Sequence, residues 1–393
     1  MKRIALMLAI LLIPAALMAQ DKDQSVLAST STADSATNTA ASDGRGDHVG
    51  AGNATVTADS SANTGRTASP SQAGKASQST KPEKPSRPPI EGSMVGYIDN
   101  PIVQSQVRIR FEAAFSDKFP DRDEFFYAKC GCYRGAGLDP NAPGPPPGSG
   151  VVIPSALNFQ QLYFYGEFAP VRRFSLFTEV PIRWIQAQGL LVGPPNSFPS
   201  EGGLSDVMAG FKFAAIATDK TYLTFQFRSY FPSGDASKGL GTNHYSIEPE
   251  LLLYQRLTDR LTLEGQVGDW HPIGGSAGVV PSSGALAPPG SEGFAGDIFI
   301  YGIGPSYQLY RGERVRISPV LELVGWTVLS GFETHVTASG VASEVGGTNI
   351  VNMKLGIRTN VGSHNSFYIG YGQALTSANW YEQIMRAEYR YSF

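Results

Sequence analysis

Hydrophobic and polar residues alternate along most of the chain. In "VQSQVRIRF", Val103, Ser105, Val107, Ile109 and Phe111 fall on one face, and Gln104, Gln106, Arg108 and Arg110 fall on the other. A period of two belongs to an extended strand with unlike faces. The pattern recurs to the C-terminus. It predicts strands over 102–115, 158–168, 174–186, 204–216, 221–231, 246–255, 261–270, 297–310, 315–327, 350–360, 365–374 and 380–393. These form an even set of twelve. Most have the roughly 9–11 residues, or slightly more, that a tilted strand needs to cross a bilayer.

The connections between these strands narrow the fold class further. "APVRR", "ATDK", "RLTDR", "RGER" and "VGSHN" are short and polar. They alternate with the long segments 116–157, 187–203, 232–245, 271–296 and 328–349. Strict alternation of short and long connections is the habit of an up-and-down transmembrane β-barrel, with short periplasmic turns and long outer loops. The expectation is an all-β, antiparallel transmembrane barrel with both ends of the barrel chain on the short-turn side. Its last strand, "RAEYRYSF", must then pair with its first, because an open edge cannot persist in lipid. Tyr389, Tyr391 and Phe393 lie on the lipid side of that last strand. The ending looks like the C-terminal signal read by the outer-membrane assembly machinery, although Glu388 stands where that pattern often has Gly.

What precedes the strands is different in kind. Lys2 and Arg3, the apolar run Ile4–Met18 and the small residue Ala19 read as a cleaved signal peptide over 1–19. Residues 20–94 are low in large apolar side chains and end in the Pro-rich "KPEKPSRPPIEG". Such a stretch buries too little surface to offset its ordering entropy, so it is expected to be a disordered periplasmic linker. The barrel is expected over 95–393.

Composition fits this division. Gly and aromatic residues are plentiful and charged residues are 17 %. The formal charge of −3 argues against a nucleic-acid partner. After the signal there is no apolar run long enough for a spanning helix.

Two short stretches carry a resemblance. Gly203-Leu204-Ser205-Asp206-Val207 opens one predicted strand, and Phe231-Pro232-Ser233-Gly234-Asp235 ends the next, followed by "KGLGTN". Over roughly 160–393 the chain resembles the outer-membrane barrel family named after the MetA-pathway of phenol degradation. The resemblance implies a porin-like barrel that passes small solutes.

Candidate chemistry lies on the polar faces. The alternation places Arg183, Asp206, Lys212, Arg228, Glu248, Glu250, Glu264, Arg316, Glu322, Lys354 and Arg358 toward the lumen, with Arg108, Arg110, Glu112, Glu167, Glu179, Glu382, Arg386, Glu388 and Arg390 beside them. The two signs roughly balance. A strongly ion-selective pore would carry a ring of one sign. A balanced interior is either a salt-bridge ladder that closes the barrel or the lining of a polar passage.

Cys130 and Cys132 in the first long loop are candidates for a loop disulfide, and too few ligands surround them for a metal. Trp184, Trp270, Trp326 and Trp380 fall near predicted outer strand ends, as in an interfacial belt, with only Trp184 clearly on the apolar face. Some twelve-stranded outer-membrane barrels are phospholipases, and "NHYSIEPELLLY" has a faint similarity to one of their strands. The His-x-Ser-Asn-Gly stretch of that family is absent, and no Ser and His stand at a nucleophile–base spacing. The reading is therefore not an enzyme and needs no cofactor. It is an outer-membrane channel for passive passage of small solutes, hydrophobic or aromatic ones among the candidates. Its partners would be outer-membrane lipid, the assembly machinery and an unidentified solute. The alternative is a closed structural or adhesive barrel that binds a partner through its long loops.

Overall fold

The computed structural model describes residues 92–118, 153–192, 195, 197–242, 244–273, 295–334 and 342–393. The predicted signal, the linker up to residue 91 and the pair Cys130 and Cys132 lie outside the described residues.

The wall is built from β1 (Gln106–Asp117), β2 (Ile153–Val171), β3 (Phe174–Val192), β4 (Val207–Ala217), β5 (Thr221–Phe231), β6 (Tyr245–Arg256), β7 (Leu261–Ile273), β8 (Ile298–Tyr307), β9 (Val315–Val328), β10 (Asn349–Val361), β11 (Asn365–Ala374) and β12 (Gln383–Ser392). Each pairs antiparallel with its neighbours in sequence, and the strand Glu201–Leu204 extends the fourth position along β3. β12 returns to β1 in the register Gln106↔Ser392 to Phe115↔Gln383, which closes the sheet into a barrel. No edge is left to face lipid.

The faces are sorted in the opposite sense to those of a soluble protein. On β10, Met353, Leu355 and Ile357 are exposed, while Asn352, Lys354 and Arg358 are buried. On β1, Val107, Ile109 and Phe111 point out, while Gln106, Arg108 and Glu112 point in. An apolar outer wall around an ionised interior is stable only if the outside is lipid. The fold is thus the predicted transmembrane barrel.

The short connections have local causes. In 218–220, the Thr218 hydroxyl accepts from the Thr221 N–H (2.9 Å), and in 257–260 the Thr258 hydroxyl accepts from the Leu261 N–H (2.9 Å). Gly362 turns the β10–β11 connection with φ of 65°, a conformation that favours glycine. These turns gather at one end of the barrel, and the long loops gather at the other.

β1 departs from expectation. It starts at Gln106, not at residue 102. The barrel's last ladder partner is spent there: the Phe393 N–H donates to the Ser105 carbonyl (3.0 Å). Residues 92–105 fold into the barrel interior, so the described structure inside the lumen begins before residue 95.

Candidate functional site

The segment Gly92–Ser105 enters and leaves at the short-turn end, where Gly92 and Gln104 are neighbours. It climbs to Tyr97 and Asp99 and descends through Pro101 to β1. Met94, Val95, Ile98, Ile102 and Val103 are buried. A backbone folded into a barrel without strand partners has polar groups that must be satisfied some other way. Here the wall side chains do it.

The Glu322 carboxylate accepts three consecutive N–H groups, from Gly96 (2.9 Å), Tyr97 (2.8 Å) and Ile98 (2.8 Å). Glu264 accepts from the Met94 N–H (2.7 Å), and Gln266 accepts from the Asp99 N–H (2.9 Å). Cationic and hydroxyl groups take the carbonyls. Arg358 donates to Met94 (2.7 Å) and Val95 (2.6 Å), Arg390 to Ser93 (3.2 Å), and Arg386 to Gly96. Lys212 donates to the Asn100 carbonyl (3.0 Å), and the Thr224 hydroxyl donates to that of Pro101 (2.6 Å).

Side chains of the segment add a few contacts of their own. Asp99 pairs with Arg228 and accepts from Gln226 (2.8 Å). Burial pushes the Asp99 carboxyl up, but Arg228, Arg108 and Lys212 outweigh it and hold it below the usual carboxylate range. The Tyr97 ring meets two cations, with the Arg386 guanidinium at 3.8 Å and the Lys354 ammonium at 3.9 Å from its centroid. Burial raises the Tyr97 phenol well above its ordinary value, so it stays neutral.

Tyr368 fits the segment closely to the wall. Its ring lies over Gly356 and Gly370 on the neighbouring ladder positions and faces Gly96 from the other side. A Cβ at Gly96 would stand 2.2 Å from the ring, and one at Gly356 would stand 2.2 Å from the hydroxyl. The Tyr368 hydroxyl donates to Glu322 (3.1 Å), which fixes the ring in place.

Around this segment the charges form a ladder. Glu179 accepts from Arg108 (2.6 Å) and Arg110 (2.9 Å), and Glu388 pairs with Arg358 and Arg390 (both 3.0 Å). Lys212 pairs with Glu167 (3.2 Å), Arg386 with Glu112, and Arg228 with Glu248. Buried pairs of this kind offset a large desolvation cost only when the remaining hydrogen bonds are also made.

Above the apex of the segment, toward the long-loop end, lies a cavity of about 130 Å³. Its walls include Tyr97, Asp99, Tyr163, Tyr230, Trp326 and Tyr381, together with the charges of Arg110, Arg183, Arg228 and Lys354. Asp99, Glu248 and Glu250 approach one another there closely enough to share a cation, but Arg228 and Gln226 already place donors among their oxygens.

The predicted lumen residues can now be placed. Arg183, Asp206, Lys212, Glu248, Glu250, Glu264, Glu322, Lys354 and Arg358 are buried in the barrel interior. Arg228 is largely buried, and Arg316 is half-buried near the short-turn end. Their work divides. Lys212, Glu264, Glu322 and Arg358 grip the segment, whereas Arg183, Arg228, Glu248, Glu250 and Lys354 line the cavity.

Asp206 serves the wall itself. Its carboxylate accepts from the Gly234 N–H (3.0 Å), the Thr242 N–H (2.8 Å) and the Thr242 hydroxyl (2.8 Å). Ser233 completes the knot: it accepts from the Val207 N–H (2.9 Å) and donates to the Ser205 carbonyl (3.0 Å). The two sequence motifs, "GLSDV" and "FPSGD", are therefore one clasp between neighbouring strands and their loop.

Trp184 is exposed on the outer face. Trp270, Trp326 and Trp380 are buried inside instead of forming a belt, and Trp326 meets Trp380 edge to face at 5.3 Å.

Sequence reasoning did not find the segment itself. The signal was "SMVGYIDNPIV", an apolar run without period two, placed just after the Pro-rich stretch. Gln226, Gln266, Thr224 and Tyr368 were missed with it, because their roles exist only when something fills the lumen.

A family match spans the residues of the clasp. Residues 151–268 match the family described as putative MetA-pathway of phenol degradation. The resemblance read from the two motifs holds over that stretch. No curated protein matches the chain. Among solved structures, the chain is similar to the COG4313 outer membrane channel from Pseudomonas putida F1, with 11 % identity, 74 % of this chain and 96 % of that chain covered, and a TM-score of 0.45. It is similar to the beta domain of the Bordetella autotransporter BrkA, with 11 % identity, 74 % and 100 % covered, and a TM-score of 0.42. It is also similar to the CymD monoaromatic hydrocarbon channel, with 9 % identity, 74 % and 89 % covered, and a TM-score of 0.36.

Proposed function

We propose that this chain is an outer-membrane channel for passive passage of small solutes, closed by its own segment Gly92–Ser105 and opened when that segment leaves the lumen. One observation carries the reading: what fills the bore is not wall. Side chains hold the segment through its backbone, so the lumen can empty without breaking a strand pairing. The emptied bore is polar, lined by Lys212, Glu264, Glu322, Lys354 and Arg358. The cavity above it combines Tyr163, Tyr230 and Tyr381 with guanidinium and carboxylate groups, which suits a small solute with both a ring and a polar group.

In this reading the short-turn end faces the periplasm, and the linker before residue 92 lies there. Lipid meets the outward apolar faces. Tyr389, Tyr391 and Phe393 present the edge that the assembly machinery recognises.

The ladder around Glu179 and Glu388 favours a second reading, a closed structural or adhesive barrel, because charges that already pair with one another need no solute. Planar-bilayer recordings separate the two. The channel reading expects brief openings from the purified full-length protein and sustained current from Gly96→Val. A folded Gly96→Val barrel whose segment is out of the lumen but which passes no current supports the closed barrel.

A further inference from the structure

We propose that the floor of this lumen is a binding site for peptide backbone, and that short peptides with a central glycine are the solutes that displace the segment Gly92–Ser105. The proposal rests on the channel reading and names its substrate class.

Over residues 93–99 the charged and amide side chains of the wall bond the segment's backbone, while the Met94, Val95, Tyr97 and Ile98 side chains add packing and cation contacts. Acceptors come from β7, with Glu264 and Gln266, and from β9, with Glu322. Donors come from the strands that follow, with Arg358 on the adjacent β10 and Arg386 and Arg390 on β12. N–H groups are taken by the first set and carbonyls by the second. The bend at residues 96–98 turns three successive N–H groups toward one carboxylate, an anion-binding concavity supplied by the guest and not by the wall. Any peptide that bends in this way presents the same groups. The Tyr368 ring sets a steric requirement, since it excludes a Cβ at the position of Gly96.

An incoming peptide replaces the segment bond for bond. A solute without amides cannot, and leaves Glu264, Glu322 and Arg358 in the bore without the partners they now have. Exchange of one peptide for another keeps those charges satisfied throughout.

The test uses the full chain with the segment loosened by Gly96→Val or, from its other end, by Ile102→Glu, since Ile102 is fully buried at the foot of the segment. Barrel folding is checked by heat-modifiable migration on a denaturing gel. Three fluorescent peptides are titrated by anisotropy: the sequence Gly92–Ser105, a peptide of the same length keeping only the glycine at the Gly96 position, and the first peptide N-methylated at the positions of Gly96, Tyr97 and Ile98.

Both of the first two are expected to bind, the second more weakly by what the Met94, Val95, Tyr97 and Ile98 side chains add, because the wall's hydrogen bonds go to backbone. N-methylation is expected to weaken binding by about tenfold or more, as loss of charge-assisted hydrogen bonds does. Binding of the native sequence alone, equal binding of the methylated peptide, or no binding to either folded variant would each overturn the proposal. Anisotropy is read without current. Peptide binding in a variant that conducts nothing therefore condemns the channel reading alone, and current without peptide binding condemns only this proposal.

Discussion

Consider Gly96→Val in detail. The new Cβ would stand 2.2 Å from the Tyr368 ring, whereas carbon atoms pack at roughly 3.5–4.0 Å. The ring cannot retreat, because it lies on the backbone of Gly356 and Gly370 and its hydroxyl is held by Glu322. The segment must therefore lift by more than an ångström. That displacement breaks or stretches the bonds from Gly96 and Tyr97 to Glu322 and from Arg386 to the Gly96 carbonyl.

Each such bond involves a charged partner, and such bonds contribute about 1.5–3 kcal/mol. Water entering the gap and the lack of additivity lower the sum, so a loss of about 3–5 kcal/mol is reasonable. At about 1.4 kcal/mol per decade, the ratio of closed to open forms should fall by roughly two to three and a half orders of magnitude. The assay is planar-bilayer recording of the full-length variant, paired with thiol labelling of a cysteine placed at Val95. Wild-type closed dwell times together with an unlabelled Val95→Cys position would show that the segment tolerates the added side chain, and would refute the steric reasoning.

Three further outcomes follow from the same geometry. Glu322→Ala removes the acceptor of three backbone N–H groups and of the Tyr368 hydroxyl, and should raise the open fraction in the same recordings at least about tenfold; an unchanged open fraction counts against the grip. Asp206→Ala leaves Gly234 and Thr242 without their acceptor and should cost about 2–4 kcal/mol, read as a lower temperature for loss of the heat-modifiable band, while the segment stays protected. Deleting Phe393 removes an outward aromatic and the N–H bond that ties β12 to Ser105, and should sharply lower the yield of protein inserted in the outer membrane; normal insertion would show that the terminal aromatic is dispensable.

The legibility of this fold in its sequence follows from where the chain meets two different solvents. β5 and β11 were predicted at the bounds they have, 221–231 and 365–374, because lipid on one side and polar lumen on the other force strict alternation between polar turns. The lumen charges were legible for the same reason. Lys354 and Glu322 needed parity together with the membrane-barrel reading to be placed inside. Their partners were not legible. Parity says that Glu322 points inward, but not that its oxygens meet Gly96, Tyr97 and Ile98, which lie more than two hundred residues away.

The boundary of β1 failed for a related cause. "VQSQ" continues the alternation of "VRIRF", yet Val103 and Ile102 are buried against Ala214, Ala217, Tyr222 and Tyr254 inside the barrel, not against lipid. Period two records that a chain has two unlike sides and does not say which solvent lies on each. The balance of charge in the lumen has the same explanation. Among the described residues no ring of one sign appears: carboxylates take N–H groups of the segment, cations take its carbonyls, and other charges pair with one another across the wall. If Gly96→Val and Glu322→Ala both conduct, the mixed signs are those of a bore built around a peptide; if neither does, they are the mortar of a closed wall.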